Sequence, residues 1–238
     1  MKPRSDLFGD RHGGGEMKKT TLVILGIGLL VAVGASGAAQ GFAEVPPTIG
    51  AYTLRGGEWQ IGVAMGFTAV PLAYRAATIS VAYGITGWLD FGIAVVHGVQ
   101  PGLFPTYMVY TSQAKLRLSL GEGLDLGIPL GLSFVDYGEG IMFGSVHSGA
   151  VASMRMGATL TLHGGATLGI ARGGWPYVLP YAIADFDLLP NLKLVGEFGF
   201  IPLSATIGMW MRVLPFLDVT LSLNPLAPWF TAGLYLRL

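Results

Sequence analysis

The sequence predicts an all-β fold, a transmembrane antiparallel up-and-down β-barrel of about twelve strands, and three observations carry that reading. The first is the C-terminal segment Phe230 to Leu238, which alternates to the last residue. Phe230, Ala232, Leu234, Leu236 and Leu238 share one face, and Thr231, Gly233, Tyr235 and Arg237 share the other. The second is where the bulk lies. The same two-residue period recurs along the chain, with a bulky apolar face opposite Gly, Ala, Ser, Thr and single charges. One lumen cannot hold that much apolar volume, so it must face lipid. The third is composition: 52% of residues are hydrophobic and 12% charged, with a mean hydropathy of +0.58. Soluble domains carry about 25% charged residues.

Taken in order, the clearest strands have these outward sets. The first carries Trp59, Ile61, Val63, Met65 and Phe67; the third carries Leu89, Phe91, Ile93 and Val95. The fourth carries Leu116, Leu118 and Leu120, and the fifth Leu124, Leu126, Ile128, Leu130, Leu132 and Phe134. The eleventh carries Leu217, Val219, Leu221 and Leu223. The eighth, around Tyr177 to Leu188, is the hardest to place, because both of its faces are apolar as far as Ile183. Ten or fourteen strands are the alternatives if that segment or Phe91 to Ala114 is misread. A helical membrane protein needs about 20 apolar residues in a row. The longest charge-free run past residue 40, Phe91 to Ala114, is broken by Gly98, Pro101, Gly102 and Pro105.

A motif recurs after the tight turns. Leu89-Asp90-Phe91-Gly92-Ile93 and Leu124-Asp125-Leu126-Gly127-Ile128 are near copies; Ala166 to Ile170 and Leu217 to Leu221 are weaker ones. The repeating unit is a hairpin. Tight turns are expected at Ile85 to Trp88, Gly121 to Gly123, His163 to Gly165, Leu189 to Asn191 and Leu214 to Phe216. Longer loops are expected at Thr68 to Leu72, Gly98 to Thr106, Asp136 to Ser148, Gly173 to Pro176, Ile201 to Ser204 and Asn224 to Trp229. Such alternation suits an outer-membrane barrel with short periplasmic turns, longer outer loops and both termini in the periplasm. Aromatic residues cluster near the expected strand ends, as two interfacial belts require.

Upstream, Met17-Lys18-Lys19-Thr20 and the apolar run to Val33 read as a signal peptide over residues 17–39, with cleavage after Ala39 or, as a fallback, Ala43. Residues 1–16 are polar and read as an upstream extension, Met17 being the expected start. Residues 40–58 then form a periplasmic lead-in, and residues 59–238 the barrel.

Residues 59 to 238 resemble bacterial outer-membrane β-barrel proteins of the small porin-like kind. The likeness rests on Tyr83-Gly84-Ile85-Thr86-Gly87-Trp88-Leu89-Asp90-Phe91-Gly92, on the hairpin period and on the C-terminal strand. It implies an outer-membrane location and recognition of the last strand by the barrel-insertion machinery. Members commonly end in Phe; this chain ends in Leu238.

The inward faces toward the loop end are read as small: Gly62, Ala64, Gly66, Gly92, Ala94, Gly131, Ser133 and Gly169. Long inward side chains gather at the turn end instead. Asp90, Asp125, Asp185, Asp187, Glu197 and Asp218 face Lys115, Arg117, Arg155, Lys193, Arg212 and Arg237, six acids against six bases, with Arg155 nearer mid-depth. Hairpin arithmetic sets Asp187 opposite Lys193, Arg212 opposite Asp218, and Arg117 diagonal to Asp125. Lys115, Arg117, Asp125, Asp187, Lys193, Glu197, Arg212 and Asp218 are the candidate lining of a constriction. The expectation is a monomeric, passive, weakly selective channel for small polar solutes, with no cofactor. A non-conducting structural or docking barrel, its lumen closed by salt bridges, is the alternative, and inward Trp210 points mildly that way.

Other classes find less support. Formal net charge is zero with no basic stripe, so nucleic acid is not an expected partner. With no cysteine, disulfides, thiolate metal sites and a lipid anchor on cysteine are excluded. No metal spacing or phosphate loop occurs. An enzyme is not expected. Ser145, His147 and Ser148 are the best catalytic candidates, but only Asp136 and Glu139 lie nearby and neither completes a clear spacing. The segment Asp136 to Ser148, with Gly138, Gly140, Gly144 and the adjoining Gly149, reads instead as a mobile loop over the mouth.

Overall fold

A computed structural model describes residues 53–69, 72–100, 104–200, 203–225 and 229–238. The expected signal peptide, the upstream extension and the lead-in before Thr53 lie outside the described residues. Twelve strands form one closed antiparallel barrel in which each pairs with its sequence neighbours. They are β1 (Trp59–Ala69), β2 (Leu72–Thr86), β3 (Leu89–Gln100), β4 (Phe104–Gly121), β5 (Leu124–Asp136) and β6 (Ile141–Met156). The second half comprises β7 (Leu160–Ala171), β8 (Trp175–Leu189), β9 (Leu192–Phe200), β10 (Leu203–Leu214), β11 (Leu217–Asn224) and β12 (Trp229–Arg237).

Closure joins the two ends of the barrel sequence. β1 pairs with β12 from Gln60 opposite Arg237 to Thr68 opposite Trp229, and Trp59 and Leu238 exchange backbone hydrogen bonds of 2.9 and 3.0 Å. No backbone edge is left between them, which a strand in hydrocarbon requires. With twelve strands the start of β1 and the end of β12 lie at the same rim, here called the turn end. Spacing and tilt typical of such barrels give a backbone radius of about 12 Å.

The alternation decides which face each residue takes. Along β1, Ile61, Val63 and Met65 are exposed while Gln60, Gly62, Ala64 and Gly66 are buried. β5, β11 and β12 follow the same rule, with Leu130, Leu132, Leu221, Leu223, Leu234 and Leu236 outside. Aromatic pairs brace this outer surface near its rims, Trp59 on Tyr83 at 4.6 Å and Phe67 stacked on Phe230 at 5.2 Å. β8 resisted periodicity because its inner face is apolar too: Ile183 packs on Val195, with Tyr181 against them.

Three expectations fail. The turn placed at His163 to Gly165 lies inside β7; the chain turns at residues 157–159, where Gly157 takes φ +70°. The Gly164-Gly165 pair imitated a turn, but Gly165 faces β6 backbone too closely to admit a side chain, so that glycine serves strand packing. Arg155 consequently stands beside the turn, donating to the Ala158 carbonyl at 3.1 Å, and not at mid-depth. The long loop Asp136 to Ser148 shrinks to residues 137–140, capped by Asp136 Oδ1, which accepts from the Gly138 and Gly140 amides. Ser145, His147 and Ser148 belong to β6. The two fully described loop-end connections, 137–140 and 172–174, are therefore only slightly longer than the turns of two or three residues at the other end, and the expected contrast is small among them.

The loop-end lumen is also less uniformly small than expected. Val96, Tyr107, Val109 and Val135 form a buried apolar cluster on the inner face of β3 to β5.

Candidate functional site

The charged band sits at the turn end, where tight hairpins bring acids and bases of neighbouring strands into pairing distance. On the β3–β5 side, Asp90 stands opposite Lys115, and both are almost fully buried. Arg117 grips Asp125 with two bonds, Nε to Oδ1 at 3.1 Å and Nη2 to Oδ2 at 3.0 Å. That diagonal, bidentate geometry is the stronger form of a carboxylate pair. The lead-in enters here. The Leu54 amide donates to Asp90 Oδ2 at 3.2 Å, Thr53 Oγ1 donates to the Gly87 carbonyl at 2.8 Å, and Leu54 is 1% exposed. Gly84 permits this approach: the Arg55 carbonyl lies where any side chain at 84 would have to be.

The β8–β12 side is built differently. Lys193 pairs with Asp187 at 3.1 Å, both partly exposed. Asp218, with no exposed side-chain surface, is shared by two arginines: Arg212 Nε at 3.1 Å on Oδ1 and Arg237 Nε at 2.7 Å on Oδ2. Arg237 also lies 3.8 Å from Glu58. These cations surround the inward ring of Trp210. Arg212, Arg237 and Lys193 stand 5.2, 5.8 and 6.0 Å from its centroid, within cation–π range. A cavity of about 630 Å³ opens beside them, its lining including Thr159, Asp187, Lys193, Trp210, Arg212 and Arg237.

All three ion pairs anticipated from hairpin arithmetic thus form. Of the eight candidate lining residues, seven fall in or next to the turn-end band. Glu197 stands deeper, at mid-strand on β9, opposite Ile183 and Thr206.

No protein-family model matches the chain, and no curated protein matches it. Solved structures do. A KdgM porin aligns with a TM-score of 0.61 and 5% identity, over 74% of this chain and 98% of its own. KdgM porin in complex with disordered oligogalacturonate gives 0.57 and 5%, over 76% and 97%. The translocator domain of the autotransporter NalP from Neisseria meningitidis gives 0.49 and 12%, over 87% and 96%. The fold is that of a porin-like outer-membrane barrel. At these identities the likeness extends to the fold alone.

In this barrel, several inward rings lie along the wall. Tyr235, 1% exposed, covers Gly62 of the neighbouring strand so closely that no side chain fits beneath it, and Tyr177 covers Gly169 in the same way. Tyr107 over Gly98 and His147 over Gly131 repeat the arrangement. Each glycine is thus the seat of a cross-strand ring, and its ring contributes packing without reaching across the lumen.

One buried cluster escaped the sequence. Ser153 Oγ lies 2.7 Å from His163 Nδ1, and His163 Nε2 lies 3.3 Å from Asp185 Oδ2, linking β6, β7 and β8. With the turn misplaced onto His163, the register that sets Ser153 opposite it was hidden; Gly157-Ala158-Thr159 was the available signal. The Ser153 hydroxyl has no exposed surface, so a substrate has no route to it, and the chain of bonds reads as a tie between strands. His147 likewise points into the lumen wall, over Gly131, and no described acid joins it; on the same strand the Ser145 hydroxyl pairs with that of Ser133 at 2.8 Å.

Proposed function

We propose that the barrel is a passive channel for small polar solutes in the outer membrane, with both termini on the periplasmic side and no cofactor or covalent chemistry. One observation carries this reading. The inner faces of β11, β12 and β1 carry mostly small or polar residues. They run from Asn224 and Thr231 through Ser222, Gly233, Ala64 and Thr220 to the charged band, with the Tyr235 ring laid flat along them over Gly62. Hydroxyls and glycines can replace a solute's water shell without narrowing the path, and the mouth they reach holds a cavity whose lining mixes charge and one indole with Leu188, Leu189 and Pro190. Because the band's charges are paired, strong preference for either ion sign is not expected.

A second reading has its own support. Leu54 and Thr53 occupy part of the turn-end mouth, and the Val96–Tyr107–Val109–Val135 cluster fills lumen on the β3–β5 side. Both suit a non-conducting barrel.

The same proposal takes the barrel as a monomer, exported by the segment 17–39 and inserted through its last strand. Planar-bilayer conductance of the purified protein tests it, with Arg117→Ala and Glu197→Ala alongside. The channel reading expects discrete steps whose ion preference shifts in opposite directions in the two variants. A silent wild type beside conducting variants would favour the closed barrel.

A further inference from the structure

The two arginines at Trp210 are bound to their shared acid in an unusual way. Each meets Asp218 through Nε, the inner nitrogen, and the carboxylate between them is sealed from solvent. Arg212 nevertheless keeps 37% of its side chain exposed. Among the described residues no other hydrogen bond reaches its guanidinium, so its outer N–H groups remain for an incoming partner. Lys193 and Asp187 are about equally exposed and offset each other, as do Arg237 and Glu58. What a solute meets at this wall is therefore the Arg212 fork, with the acid hidden behind it.

A second observation marks the same place. Trp210 is 5% exposed, lines the cavity, and its Nε1–H has no partner among the described residues. A buried N–H without an acceptor costs free energy that a ligand oxygen would recover if the ring turned toward the cavity. The cavity, about 630 Å³, falls within the ~300–1,000 Å³ range of small-molecule sites.

We propose that Arg212, Lys193, Arg237 and Trp210 form a binding site for the oxyanion group, carboxylate or phosphate, of a small polar solute at the turn-end mouth. This deepens the channel reading and rests on it for its biological sense, but not for its test. A planar carboxylate matches the outer nitrogens of Arg212, and a hydroxylated body would reach Asp187. Such a site would hold acidic solutes at the end of the β10–β12 wall and slow their exit relative to neutral ones.

Titration calorimetry of the folded barrel in detergent, with glucuronate and with glucose, separates the oxyanion from the sugar body. Glucuronate is expected to bind and glucose not, with affinity falling as salt rises. Arg212→Gln should weaken glucuronate by about tenfold or more, and Lys193→Gln by less. Displacement of glucuronate by inorganic phosphate would support a general oxyanion site, and failure to displace it a carboxylate site. Equal behaviour of glucuronate and glucose overturns the proposal. So does full affinity in Arg212→Gln, or, if that variant fails to fold, salt-independent binding with full affinity in Lys193→Gln. A barrel that binds glucuronate yet never conducts would retire the channel and leave the site standing. One that conducts without binding would do the reverse.

Discussion

Two walls of this barrel face each other with opposite inner chemistry. The β3–β5 wall is packed for much of its height: Leu54 seals Asp90 at the turn end, and Val96, Tyr107, Val109 and Val135 cluster toward the loop end. The β10–β12 wall carries Thr, Ser and Gly with the Tyr235 ring laid along it, and ends in partly exposed cations around Trp210. Both walls contain paired charges, so charge count does not separate them. What differs is what lies in front of the charges. On one side the lead-in docks on Asp90, and Lys115 beside it is buried while Arg117 stays partly exposed; on the other a cavity lies in front of the charges. The lesson is that a balanced band can be a fastening on one side of a lumen and a recognition surface on the other.

The largest effect expected from breaking this contrast is at Asp218. Asp218→Asn leaves Arg212 and Arg237 facing each other across a sealed site, and breaking a buried pair costs about 3 kcal/mol or more. Urea unfolding followed by the gel-mobility shift of folded barrels should show it. The partly exposed Asp187 on the same wall provides the contrast, because Asp187→Asn should cost less than about 1 kcal/mol. Comparable losses in the two variants would mean that Asp218 is not the hidden anchor described here.

A smaller effect is expected where rings lie on the wall. Gly62→Ala pushes a methyl into the Tyr235 ring and should destabilise by about 1–3 kcal/mol. Gly164→Ala meets open space on the outer face and should change stability by no more than about 0.5 kcal/mol. Equal responses would remove the argument that cross-strand rings brace the wall while leaving its bore clear.

Much of this architecture could be read from residues, because lipid on one side and a narrow lumen on the other enforce a strict two-residue period. The ion pairs were legible for the same reason: near a tight turn, register follows from counting, as at Asp187–Lys193 and Arg212–Asp218. Reading failed where glycine had two uses. Gly164-Gly165 resembled a turn and is strand, while Gly144 and Gly149 made β6 resemble a loop although each lies against a neighbouring strand. That error hid the Ser153–His163–Asp185 tie. The covering of Asp90 by Leu54 had no signal at all, because a lead-in leaves no periodic trace of where it docks. Nor did the sharing of Asp218, since Arg237 reaches it across β11 and β12 and not across a turn.

The central claim is that the lead-in closes one side of the turn-end mouth and leaves the other open. Single cysteines test it most directly, since the chain has none of its own. Leu54→Cys and Lys193→Cys would each be treated, in the folded barrel, with a charged thiol reagent, and the labelling rates compared with those after unfolding. Rapid modification is expected at position 193 and strong protection at position 54 until the barrel unfolds. Equal, rapid modification at both positions would contradict it.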